Sequence, residues 1–248
     1  MDDLDPKHRP VEGAERGGEA ASALGGDSGG RGGEHGVRGG SSSDREDSGG
    51  GREDRGTRWV ETTRGILSYS ELAPFLAEQV ARLEAEVYRE AFAARPLEES
   101  LLLEFHGRIC GDLIPEWGGR WRTIEVRVGN LRPPAAFAVA QQAREYCLNL
   151  QARFPDAARA VSELTLEFLS FAEGRFLSIH PFADFNGRTI RVFLLELLRR
   201  LDLPRVPLAA PAGKKRADYF AALEAADQND WRALMEIWRR RFSNLDQG

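Results

Sequence analysis

Between Ser70 and Ala94 the apolar residues Leu72, Phe75, Leu76, Val80, Leu83, Val87, Tyr88 and Phe92 recur mostly at intervals of three or four. That period gathers apolar side chains on one face of an α-helix, and Pro74 fits it if it lies in the first turn. The same pattern predicts a helix from Leu97 to Cys110, with Leu101, Leu102, Phe105 and Ile109 inward and Gly111 placed to stop it. Further helices are expected at Ala135 to Leu150, Asp156 to Phe176, Asn186 to Arg200, Arg216 to Ala226 and Asp230 to Phe242. Val192, Phe193, Leu194, Leu195, Leu197 and Leu198 leave little of the helix from Asn186 to Arg200 polar, so it and the helix before it belong at the centre of a bundle. Only from Gly118 to Asn130 does the period shorten to two. Its β-branched content favours a short ribbon, too short to organise a sheet. The expected fold is mostly α: one helical domain with a short β-hairpin.

Composition changes the picture at the N-terminal end. Residues 1–56 hold 16 of the 26 glycines, 13 acidic against 8 basic residues and no aromatic residue. Such a stretch cannot bury enough apolar surface to offset the entropy of ordering it, so 1–56 reads as a disordered, Gly-rich acidic tail and 57–248 as the domain. Asp2, Asp3 and Asp5 with no apolar run argue against a secretory leader, and no run of 18 uncharged apolar residues predicts a membrane span. The expected compartment is the cytoplasm. Cys110 and Cys147 are too few for a disulfide framework and form no C-x-x-C pair. The domain carries 26 acidic and 26 basic residues, a balance that argues against nucleic acid as a partner.

The densest chemistry lies between the two central helices: His180-Pro181-Phe182-Ala183-Asp184-Phe185-Asn186-Gly187-Arg188-Thr189-Ile190-Arg191. A helix start exposes backbone N–H groups that attract phosphate; Arg188 in its first turn and Arg191 three residues later can reach one polyanion. Asn186 suits a helix cap, and Gly187 permits close backbone approach. Asp184 offers the oxygen ligand that Mg²⁺ prefers, and His180 can accept a proton near neutral pH. Phe182 and Phe185 interrupt the polar residues, and at least one should anchor the loop in the core.

Residues 180–191 resemble the Fic motif, H-P-F-x-D/E-G-N-G-R-x-x-R, at every fixed position but one, where Phe185 replaces the first glycine. The resemblance extends through Phe105-His106, Gly111-Asp112, Trp117-Gly118-Gly119, Arg122-Thr123 and Val128-Gly129, and to Ala226-Asp227, Asp230 and Trp238. It implies a single Fic-like helical domain whose ribbon at about 118–130 is the flap, and an enzyme that transfers AMP from ATP to a protein hydroxyl. In that reading His180 is the base and Asp184 the Mg²⁺ ligand. Asn186 and Gly187 line the anion pocket, Arg188 and Arg191 bind the distal phosphates, and Phe182 is the internal anchor. A target with a Ser, Thr or Tyr hydroxyl docks on the flap edge, Ile124 to Val128, by adding a strand.

At position 185 a phenylalanine restricts positive φ and places a ring near the pocket, so a modified entrance is expected. Two alternatives stay open: transfer of another nucleotide or phosphate-bearing group, and a non-catalytic Fic-like interaction protein. The family's inhibitory pattern, S/T-x-x-x-E-G/N, has no complete match, since Thr57 to Glu61 continues with Thr62; restraint by a separate inhibitory protein is left open. His106 is expected to pack rather than to catalyse.

Overall fold

The computed structural model describes residues 59–129, 131–157, 160–209 and 213–245, and the predicted tail at 1–56 lies outside them. The chain enters as a hairpin, β1 (Trp59–Thr62) paired antiparallel with β2 (Gly65–Ser68) in the register Trp59↔Ser68 to Thr62↔Gly65. Its two-residue turn is closed by Thr62, whose hydroxyl donates to the Gly65 carbonyl at 2.7 Å, and Gly65 takes a φ of +97° that a side chain would strain. Thr63 fastens the hairpin to the turn after the second helix: its N–H donates to Leu113 O and its hydroxyl to Asp112 O, both at 2.8 Å.

Seven α-helices follow among the described residues: α1 (Tyr69–Tyr88), α2 (Glu99–Cys110), α3 (Val139–Arg153), α4 (Glu163–Ile179), α5 (Asn186–Arg200), α6 (Lys214–Asp227) and α7 (Arg232–Ser243). A reciprocal capping box starts α1: the Ser68 hydroxyl accepts from Glu71 N–H, and the Glu71 carboxylate accepts from Ser68 N–H. Pro74 sits in the second turn of α1 rather than the first, removing one helical donor. α1 also ends earlier than its apolar period suggests. Phe92 is buried from a turn that reverses at Glu90, φ 60°.

The central pair is α4 and α5. α4 packs against α3, α5, α6 and α7, and α5 against α1, α2 and α4. Their facing residues, including Leu169, Phe176, Phe193, Leu194 and Leu197, are almost completely buried, so their apolar area supplies much of the drive to fold. Of the two carboxylates buried on this pair, Glu196 is held by Arg199 and Arg200, and Glu173 is held by Arg241 at 2.7 Å and by the Tyr219 hydroxyl at 2.7 Å, which ties α4 to α7 and α6. A buried charge is tolerated on such terms because its lone pairs are filled.

The mostly helical architecture with one short antiparallel hairpin is thus borne out, but the hairpin is not where the ribbon was expected. Segment 118–129 turns at Gly118 and Gly119 and runs on as a strap that joins no ladder; its one strand-type pairing is an isolated bridge, Val128↔Leu131. Its alternation is partial: Arg122, Val126 and Val128 are buried and Glu125 and Arg127 exposed, but Ile124, on the parity of the buried residues, is exposed. The inward side packs on the helices, however, and the Arg122 N–H is spent on Pro181 O at 2.9 Å instead of on a ladder partner. The strap begins against α2 through glycines: a Cβ on Gly118 would lie 2.4 Å from the Gly111 Cα.

Candidate active site

α4 stops because His180 takes the left-handed conformation (φ 49°, ψ 62°) while its N–H still closes onto Phe176 O at 3.0 Å. Pro181 follows and cannot donate. The loop then dives inward. Phe182 is fully buried, its ring stacked on His106 (centroids 3.8 Å apart, planes 2° apart) and beside Trp121 at 5.1 Å. Phe182 is therefore an anchor, as its place in the sequence suggested.

Asn186 does not cap α5. The capping position is Phe185 (φ 58°, ψ 17°), and Asn186, one residue into the helix, turns its amide back on the loop. Its Oδ1 accepts from Phe182 N–H and its Nδ2 donates to Phe182 O, each at 3.0 Å. A side-chain amide has one donor face and one acceptor face, and both are satisfied by the backbone of a single residue here, which closes the loop into a ring.

Phe185 also departs from its expected role. Its backbone adopts the positive φ that a glycine would supply, and its ring is buried with nothing exposed, lying 6.3 Å from Tyr69 and 6.2 Å from Trp117. The ring fills core space rather than the entrance, and the Arg188 guanidinium lies 5.5 Å from its centroid. The Phe185 N–H donates to Asp184 Oδ1 at 2.6 Å.

Asp184 is buried and braced from several directions. Its Oδ2 accepts from the Tyr69 hydroxyl, and its backbone carbonyl receives His106 Nε2 at 3.1 Å. His106 Nδ1 accepts from Gly119 N–H at 3.2 Å, so the neutral ring carries its proton on Nε2. Burial holds the His106 pKa down to about 4, only partly opposed by its hydrogen bonds with the Asp184 and Trp117 backbones. His106 is a neutral support for the loop, in keeping with its expected packing role.

Gly187 is buried in the first turn of α5, and Arg188 and Arg191 are half-buried beyond it. The two arginines line one groove with Ala77, Val80, Ala81 and Glu84 of α1. Arg191 further borders a cavity of about 530 Å³ shared with Leu195, Arg205 and Val206. Glu84 is occupied by Arg205 at 3.0 Å. The structure therefore places His180, Asp184, Asn186, Gly187, Arg188 and Arg191 on one loop and the helix start that follows it, with an imidazole, a carboxylate and two guanidinium groups inside one 12-residue stretch. Two supports escaped the sequence reading. Tyr69 lies 115 residues from Asp184, and Arg122 showed only as one member of an alternating stretch and of the wider resemblance, with no role attached.

Such a loop, held between two buried helices and ending in arginines at a helix start, is an arrangement that can receive a polyanion. Residues 96–198 of the chain match the model of the Fic/DOC family. It is 32 % identical over 154 residues to the protein adenylyltransferase Fic of Drosophila grimshawi, a match covering 60 % of this chain and 30 % of the fly protein. The chain thus spans less than a third of that relative's length. Among solved structures it resembles Fic-1 (residues 134–508) of Caenorhabditis elegans, with TM-score 0.53, 23 % identity, and 70 % and 48 % of the two chains covered. It also resembles BepC of Bartonella tribocorum, a structure with bound AMPPNP (TM-score 0.59, 14 % identity, 75 % and 93 % covered). At those identities the structural likenesses establish the fold.

Proposed function

We propose that the chain is a protein adenylyltransferase that transfers AMP from ATP to a hydroxyl side chain of a target protein. The observation that carries this reading is the placement of His180 immediately before a buried loop that delivers Asp184, Arg188 and Arg191 to one helix start. Its curated relatives bear the name protein adenylyltransferase, and a structural neighbour holds an ATP analogue, which supports ATP as the co-substrate.

In the proposed step His180 takes the proton of the target hydroxyl as its oxygen bonds to the α-phosphorus. The bond from that phosphorus to the bridging oxygen breaks, and pyrophosphate departs. Arg188 and Arg191 neutralise the distal phosphates, and Gly187, with no side chain, lets the transferred phosphate approach the helix start closely. Asn186 contributes by fixing the loop through Phe182, a positioning role in place of direct anion contact.

Mg²⁺ is the cation we assign to Asp184. No cluster of three His, Cys, Asp or Glu side chains suited to a metal occurs among the described residues. A single hard carboxylate suits Mg²⁺, which keeps waters and shares substrate phosphate oxygens rather than filling an all-protein cage. The Asp184 Oδ2 accepts from the Tyr69 hydroxyl and its Oδ1 from the Phe185 N–H, which hold the carboxylate in one orientation. When bound, the ion offsets negative charge on the phosphates.

The target's extended segment is proposed to align along the strap from Ile124 to Val128, where Ile124 and Phe137 are exposed apolar side chains. No described helix is long and apolar enough to cross a membrane. ATP use, together with two free buried cysteines, favours the cytoplasm as the workplace. Labelled ATP tests the reaction: label from the α-phosphate should stay on a protein hydroxyl, and label from the γ-phosphate should leave. Retention of γ-label would instead mark phosphoryl transfer and overturn the reading.

A further inference from the structure

We propose that Arg122 is a positioning residue that holds the catalytic turn at His180 and couples it to the target-docking strap. The inference rests on the reading of His180 as the base and adds a residue to which that reading assigns no role.

The last carbonyls of a helix lack partners within the helix, and a following N–H normally returns to cap them. Here the His180 N–H returns to Phe176 O, but the next residue is Pro181, which has no N–H, so the turn cannot cap its remaining carbonyls by itself. Arg122 does so from outside. Its Nε donates to His180 O at 2.8 Å, its Nη2 to Ile179 O at 3.4 Å, and its own backbone N–H to Pro181 O at 2.9 Å. Three consecutive carbonyls around a strained, non-glycine left-handed residue are thereby fixed by one side chain and its peptide.

The other edge of the same guanidinium faces the strap. Nη1 donates to Ile124 O at 3.0 Å and Nη2 also donates to Pro134 O. Arg122 is buried, with 3 % of its surface exposed, and every acceptor it reaches among the described residues is a carbonyl. Burial lowers its pKa, with Glu125 acting in the opposite sense. A buried cation held by carbonyls alone is an expensive choice for simple packing. It is an apt one for spanning four acceptors in a plane, which the fork of a guanidinium does and the point charge of a lysine cannot. Since the strap and the base turn share this one group, the spacing between a docked hydroxyl and the His180 ring is set by it.

Arg122→Gln and Arg122→Lys test the proposal in the full chain. At saturating nucleotide, turnover of Arg122→Gln should fall roughly 10- to 100-fold, the scale of a misplaced catalytic group. Nucleotide affinity should stay within about twofold, and Arg122→Lys should recover only part of the loss. The chain has four histidines, so the His180 ring protons can be assigned by NMR. They should shift or broaden in a folded Arg122→Gln protein. Turnover unchanged in that protein would overturn the proposal, as would an unmoved His180 resonance. A parallel fall in nucleotide affinity and turnover without a His180 shift would overturn it too, by indicating general loosening of the fold. If Arg122→Gln does not fold, the same readings are taken on Arg122→Lys. His180→Ala separates the two readings: normal transfer by that variant refutes the base assignment, whereas the His180 resonance in Arg122→Gln reports the coupling independently.

Discussion

Replacing Phe185 by glycine restores the residue of the family motif, yet it should cost stability and leave the chemistry in place. The Phe185 ring is wholly buried between Tyr69, Trp117 and Arg188. Deleting a buried phenylalanine side chain costs about 3–5 kcal/mol. Against this, φ is +58° at Phe185, and releasing a side chain from that conformation returns about 1–2 kcal/mol. The net loss is about 1–4 kcal/mol, or a fall in Tm of roughly 2–16 °C at about 2–4 °C per kcal/mol for a domain of this size. Phe185→Ala keeps the backbone strain and loses the ring, so it should be less stable than Phe185→Gly by about 1 kcal/mol. Urea unfolding of the three proteins reads both differences. Because the backbone already has the conformation glycine would allow, the transferred group should not change. A Phe185→Gly protein at least as stable as the parent would refute the packing assigned to the ring, and a switch in the transferred group would show that the ring shapes the pocket.

His180→Ala should lower turnover by roughly 10²- to 10⁴-fold with a much smaller change in nucleotide affinity, whereas Arg188→Ala should weaken binding and transfer together; equal effects from the two, measured by titration and initial rates, would contradict their separate roles. Tyr69→Phe removes the hydroxyl that donates to the buried Asp184 carboxylate and should cost about 1.5–3 kcal/mol, so a loss below about 0.5 kcal/mol in urea unfolding would argue against that brace. His106 supplies the pH dependence. Its folded pKa of about 4 lies below the usual value of 6.5, so the unfolded chain binds the proton more readily. Its contribution is complete above about pH 6.5 and is lost as pH falls toward 4, about 3 kcal/mol in all. A folded His106→Gln protein whose stability retained the same slope over that window would refute this.

The helices were legible because their apolar residues follow a 3.6-residue period for several turns, and α4 and α5 were central because they leave so little polar surface. The hairpin at Trp59–Ser68 was not, since only Val60 and Ser68 of its eight residues are buried and its alternation is correspondingly faint. Conversely, the strap alternates in part but serves helices and a loop on its inward side, and periodicity cannot distinguish that from a ladder. The site's polar residues were readable from a contiguous motif. Their supports were not: whether Asn186 caps a helix or braces Phe182 depends on a backbone dihedral at Phe185, and Tyr69 reaches Asp184 only because the hairpin is docked on residues 112 and 113.

The most direct measurement is the mass added to target protein hydroxyls when the purified full chain, and separately its His180→Ala variant, is incubated with cell lysate, Mg²⁺ and a panel of nucleotides. The expected result is addition of the AMP group, from ATP, to Ser, Thr or Tyr side chains by the parent protein and its loss in the variant. Addition of a different group, addition undiminished by the His180→Ala change, or no addition with any nucleotide would contradict the assignment of this site to AMP transfer.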